Sequence, residues 1–243
     1  SSVMDISLKD GNPDKQAFKA IVGASEAGVS ASGHIGKKTT YVASVRQSYL
    51  QLLFRLLGLP LLPNYIDGQF KIKTRIDSSN EIMFIGLAGF DNLKLNMDTE
   101  DKADMYLLGY LPKLKQETFT VGTSYRHMSE RHVQTYSLSY SYLNNRSVKY
   151  LDNDESSADN ITMKGVGLDG NAQGRFETRS YYGPWTVREG AQIGWRHYES
   201  SVYRMMMDGM PMDYDTNIGF LTWGIFTSAD YKSPGGKVNT SFG

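Results

Sequence analysis

The sequence predicts an all-β chain: an antiparallel up-and-down meander of about ten strands, forming part of a transmembrane β-barrel. Three observations carry that expectation. Apolar and polar residues alternate with a period of two through most of the chain. Short and long connections between the alternating segments roughly take turns. Tyrosine and glycine are abundant, at 16 and 24 of 243 residues, while proline is scarce at 7. Aromatic rings fit a pleated surface, and glycine serves turns.

The alternation is clearest at 69–76. Phe70, Ile72 and Ile76 point one way, and Gln69, Lys71, Lys73 and Arg75 the other. Asp77-Ser78-Ser79-Asn80 then turns the chain into Glu81–Ile85, a hairpin with a short loop. Phe119, Val121 and Tyr125 oppose Thr118, Thr120, Ser124 and Arg126. Tyr136, Leu138, Tyr140 and Tyr142 oppose a run of serines and Thr135. Val187, Ala191, Ile193 and Trp195 oppose Arg188, Gln192 and Arg196. Leu221, Trp223 and Ile225 oppose Phe220, Thr222 and Gly224, and Tyr41, Ala43 and Val45 oppose Thr40, Ser44 and Arg46.

Tight turns are expected at Gly36-Lys37-Lys38, Asp77–Asn80 and Gly183-Pro184-Trp185. Long connections are expected at Ser48–Asn64, Asp91–Gln116, Lys149–Asn160 and Met205–Asp215. Within the first of these, Ser48–Gly58 is the one helical candidate, leucine-rich, with Ser48 as N-cap and Gly58 as stop. It is too short to cross a bilayer, and the apolar stretch Leu50–Leu62 is broken by Gln51, Arg55, Gly58 and Pro60. The apolar face is aromatic and rich in tyrosine, which suits a surface with one wet edge, as at a membrane interface.

Several segments resemble the TonB-dependent outer-membrane receptors. Ser1–Asn12 resembles the end of that family's plug, which closes with a small-residue turn and an S-x-V-x-x-I strand. Arg46-Gln47-Ser48-Tyr49-Leu50 resembles its R-x-S-Y-L element, and Pro63–Lys71 its returning strand. Val238–Gly243 looks like the start of a further strand. Full members carry a TonB box, a complete plug and a barrel of about 22 strands. The resemblance therefore implies a fragment: residues 1–12 as the end of the plug and 13–243 as the N-terminal portion of the barrel. It implies energised uptake of a nutrient such as a glycan, a peptide or an iron complex, across the outer membrane of a Gram-negative bacterium. The implied partners are the TonB energy-coupling complex through the missing N-terminal part, outer-membrane lipid and a surface lipoprotein. The alternative is a soluble all-β carbohydrate- or ligand-binding module with its apolar face in a core.

On the barrel reading the strand cations Arg46, Lys71, Lys73, Arg75, Arg126, Arg188 and Arg196 line the lumen. They form a hydrated wall rather than specific ligand contacts. The loop aromatics Tyr49, Phe54 and Tyr214 are the candidate ligand contacts, since sugar rings stack on such faces. The 26 basic and 26 acidic residues cancel, so a general nucleic-acid binder is not expected. The absence of cysteine excludes thiol nucleophiles and Cys-ligated metals from this chain.

No enzyme is expected. The letters of a dinucleotide motif at Gly165, Gly167 and Gly170 are followed by no helix. Gly36-Lys37-Lys38-Thr39 lacks the glycine of a phosphate loop and precedes a strand. His127 and His132 lie in adjacent arms of a hairpin but have no further ligand near in sequence, while His34 and His197 stand alone. The acidic loops are Asp98–Asp101, Asp152–Glu155 and the set Asp208, Asp213 and Asp215. They offer oxygens to calcium but lack EF-hand order, so solvated loop charge is the default and no cofactor is expected.

Overall fold

The computed structural model describes residues 7–99, 101–206 and 209–243. Ser1–Ile6 of the plug-like motif, Glu100 and Asp208 lie outside the described residues. Among the described residues, eleven strands run in chain order through one antiparallel sheet. They are β1 (Ala17–Val22), β2 (Glu26–Ile35), β3 (Thr39–Ser48), β4 (Leu61–Arg75), β5 (Asn80–Leu95) and β6 (Lys113–Met128). There follow β7 (His132–Tyr150), β8 (Ile161–Tyr182), β9 (Trp185–Met205), β10 (Pro211–Lys232) and β11 (Asn239–Phe242). Every strand pairs with its chain neighbours, and β1 and β11 are the two edges.

Cross-strand register propagates the alternation read from sequence, because directly paired residues share a face. Phe18, Ala31, Ala43, Phe70, Gly86, Val121, Tyr140, Ala172, Trp195 and Leu221 form one continuous row from β1 to β10. The next row toward the short turns holds Tyr41, Ile72, Phe84, Leu138, Ile193 and Trp223. This is the outer face. Most of it has nothing packed on it: Leu138 is 64 % exposed, Trp223 75 % and Ile225 80 %.

Exposure on this scale decides between the two readings of the apolar face. A compact monomer of this mass has an accessible surface of roughly 11,000 Å², whereas this chain has 16775 Å². Among the described residues, Leu62, Leu95 and Leu108 are the buried apolar ones, and all lie in or near the long connections rather than between two sheets. A sandwich would place a second sheet about 10 Å away; here all strands belong to one sheet.

Most connections sort by end, although the short β1–β2 turn at 23–25 shares the end of the long loops. The turns at 36–38, 76–79, 129–131 and 183–184 lie at one end, and the β3–β4, β5–β6 and β7–β8 loops lie at the other. Gly36 and Gly183 take positive φ, 63° and 59°, at the tight turns, where a side chain would be strained. The predicted helix is α1 (Leu50–Leu56). Gly58, at φ 68°, ends it, with its amide on Arg55 O. Its N-cap is Tyr49, one residue later than expected, although the Ser48 hydroxyl still accepts from the Leu50 amide at 3.1 Å.

Two expectations are corrected. The connection at 91–116 contains a second helix, α2 (Lys102–Tyr110), capped by Asp101, whose carboxylate accepts from the Ala103 and Asp104 amides. The expected long loop at 205–215 shrinks to 206–210, because β10 pairs with β9 from Pro211↔Met205 onward. β8 and β10 reach 22 residues each, about twice what a barrel strand needs to cross a bilayer. Their loop ends therefore project beyond the apolar belt.

Candidate functional site

The inner face of the sheet carries the seven strand cations by parity, together with apolar side chains of β5 (Met83, Ile85, Leu87) and β10 (Ile218, Phe220, Phe226). Sequence reading left out the cations' carboxylate partners. Arg46 Nε lies 3.0 Å from Asp67, its register partner, and Arg46 is also 3.4 Å from Glu26. Tyr65 closes this group by donating its hydroxyl to Glu26 at 2.9 Å. On β8 and β9, Arg196 is ion-paired with Asp169. Arg188 lies 3.0 Å from Asp230 of β10, and Arg175 lies 2.8 Å from Glu177.

The face thus carries its own carboxylates beside the cations. Two more ion pairs connect neighbouring strands there. Lys73 lies 3.3 Å from Glu81, and Glu81 lies 3.8 Å from Arg126, so charge alternates across β4, β5 and β6. Such a wall is neutral over short distances and well hydrated, and selects weakly for the sign of a solute. Arg75 lines a cavity of about 450 Å³ at the turn end with Lys38, Lys73, Asp77 and Glu81.

The segment before β1 lies against this wall. Lys71 Nζ donates to the Leu8 carbonyl at 2.7 Å and lies 2.6 Å from Asp10, and Lys73 lies 2.9 Å from the other Asp10 oxygen. Gly11 is buried because the backbone passes tightly here: a Cβ would come within 2.6 Å of Gly33 O. Asn12 then turns the chain, accepting from the Asp14 and Lys15 amides. Burial raises the Asp10 carboxyl pKa, but the Lys71 and Lys73 ammoniums together outweigh it and hold it below the usual value. In the turn at 77–80, the Asn80 side chain and then the Ser79 amide lower the pKa of Asp77.

The three candidate ligand aromatics do not converge. Tyr49 donates its hydroxyl to Gly23 O, and its amide donates to Ser25 O, so it fastens the β3–β4 loop to the β1–β2 turn. Phe54 is half-buried in α1. Tyr214 is on β10, not in a loop, with Val202 as its partner, and it is 61 % exposed at the loop end of the inner face.

Among the described residues no group of three histidine or acidic side chains is placed to hold a metal. His127 Nδ1 meets Asn80 and His132 Nδ1 meets Ser180, so the hairpin histidines serve different neighbours. The acidic loops bind their own backbone: Asp154 accepts from Ser156, and Asp101 caps α2.

No family model matches the sequence, and no curated protein matches it. Solved structures do match. A copper transporter is 12% identical over 92% of this chain, with a TM-score of 0.62. The ferripyoverdine receptor of the outer membrane of Pseudomonas aeruginosa is 10% identical over 85%, with a TM-score of 0.63. The RagAB peptide importer is 9% identical over 92%, with a TM-score of 0.60. This chain spans about a third of each, covering 35%, 33% and 32% of their lengths. These structures are TonB-dependent outer-membrane receptors. The eleven-stranded meander, with the apolar belt outside and the strand cations inside, has the fold of part of their barrel.

Proposed function

We propose that the chain is a portion of the barrel of an outer-membrane receptor that imports a scarce nutrient by TonB-dependent uptake in a Gram-negative bacterium. One observation carries the reading: a single sheet exposes a continuous apolar, aromatic belt on one face, while the ion pairs Lys73–Glu81, Arg188–Asp230 and Arg196–Asp169 lie on the other. In water that face would aggregate; in a bilayer it is satisfied. The similar structures, named as a copper transporter, a ferripyoverdine receptor and a peptide importer, support transport as the activity, with a nutrient such as a glycan, a peptide or an iron complex as the cargo of this proposal. Residues 1–12 are the end of a plug in this proposal, supported by Asp10 against Lys71 and Lys73. The TonB complex would pull on the plug through sequence upstream, and the solute would pass along the inner wall.

Fractionation of the full-length protein tests this. Recovery with the outer membrane is expected. A wholly periplasmic, soluble pool would overturn it in favour of a binding module.

A further inference from the structure

On β6 and β7 the outward face changes from aromatic to charged at the loop end, while β5 still turns Phe90 outward and β8 Leu168 and Val166. Phe119 and Tyr142 are register partners and stack with centroids 5.2 Å apart. The next outward pair is Glu117 with Asn144, and the next is Lys115 directly opposite Arg146. Like charges in that position repel one another. Lys113 follows on the same face, opposite Val148, which in turn pairs with Lys164 of β8. Lys94, at the loop end of β5, is close enough to Lys113 to oppose its charge.

Two carboxylates offset part of this charge: Glu117 lies 2.7 Å from Lys115, and Glu155 is ion-paired with Lys113. Lys94, Arg146 and Lys164 are exposed, as is Lys115 at 53 % of its side chain. A net positive patch thus stands one residue pair above the aromatic edge of the apolar belt, facing away from the lumen. A solute travelling along the inner wall cannot reach it.

We propose that this patch binds the phosphate of an anionic lipid in the outer leaflet, with the acyl chains lying along the belt below Phe119 and Tyr142. The inference rests on the barrel reading. An anion between Lys115 and Arg146 would turn their repulsion into two charge-assisted contacts, and phosphate matches the guanidinium fork. Basic residues beside an apolar belt attract anionic headgroups in the same way.

The test uses the full-length protein, extracted in mild detergent, delipidated and placed in phosphatidylcholine nanodiscs. The nanodiscs are doped with phosphorylated lipid A or with its dephosphorylated form, and retained lipid is read by native mass spectrometry. Phosphorylated lipid is expected to be retained about ten-fold better, and Lys115→Gln with Arg146→Gln to remove that preference. Glu117→Gln, which takes away a competing carboxylate, is expected to strengthen it. Equal retention of the two lipids, or an unchanged preference in the double variant, would overturn the patch while leaving the barrel intact. A protein found only in the soluble fraction would overturn both.

Discussion

Lys71 Nζ lies 2.6 Å from the Asp10 carboxylate and ties the segment before β1 to the inner face of β4. Lys73, two residues along, holds the other oxygen at 2.9 Å. Successive inward positions of one strand thus grip a single acid, which only a period-two element can arrange. The Asp10 pKa lies below its ordinary 3.8 in the folded state. The stabilisation is therefore fully present at neutral pH and is lost as pH falls through that lowered value. Asp10 is 45% exposed, which limits the contribution to about 1 kcal/mol. Asp10→Asn at neutral pH is expected to speed hydrogen exchange of the 8–12 amides about five-fold, in proportion to that loss. Unchanged exchange would show that the segment is held by its backbone alone.

Glycines opposite aromatic rings predict an order of tolerance. Gly86 is paired with Phe70, whose ring covers it on the outer face. Gly190 is paired with Phe226 on the inner face, but a Cβ there also comes within 2.5 Å of the Phe176 carbonyl. A ring facing lipid can swing aside; a ladder carbonyl cannot. Gly190→Ala is expected to cost about 1–3 kcal/mol through overpacking, measured as a shift in the guanidinium unfolding midpoint in detergent. Gly86→Ala is expected to cost clearly less.

Arg196 separates a wall from a ligand contact. It is ion-paired with Asp169 and half-exposed, so Arg196→Gln is expected to leave the guanidinium unfolding midpoint unchanged. Uptake of the transported nutrient is expected to stay within about two-fold of wild type, since a hydrated wall tolerates any polar residue. A large loss of uptake with normal expression would make Arg196 a ligand contact.

Strand positions and facing were legible in the sequence because period-two alternation is a local property. The inner carboxylates were legible too: Asp67 shares parity with Gln69 and Lys71, and Glu81 opens a strand whose facing Arg75 sets. α2 was harder, since its exposed Met105, Tyr106, Leu107 and Tyr110 surround the buried Leu108 without a clean stripe. Its one sequence signal was Asp101 in front of it. Tyr214 was misplaced because Pro211, Asp213 and Asp215 have loop chemistry; pairing with a long β9 overrides that local preference. The glycine–aromatic pairs depend on cross-strand register, which no single strand encodes.

The claim that carries the rest is that the outer face of this sheet meets lipid and the inner face meets water. These 243 residues contain no cysteine, so a single cysteine placed along β10 is the only one in this part of the barrel. Spin labels at Leu221→Cys, Trp223→Cys and Ile225→Cys, in the full-length protein in bilayers, are predicted to collide with dissolved oxygen and to be shielded from a water-soluble nickel chelate. Labels at Phe220→Cys, Thr222→Cys and Gly224→Cys are predicted to show the reverse. A period of two with that phase is the expected result; labels all accessible to the chelate, or the opposite phase, would contradict the account.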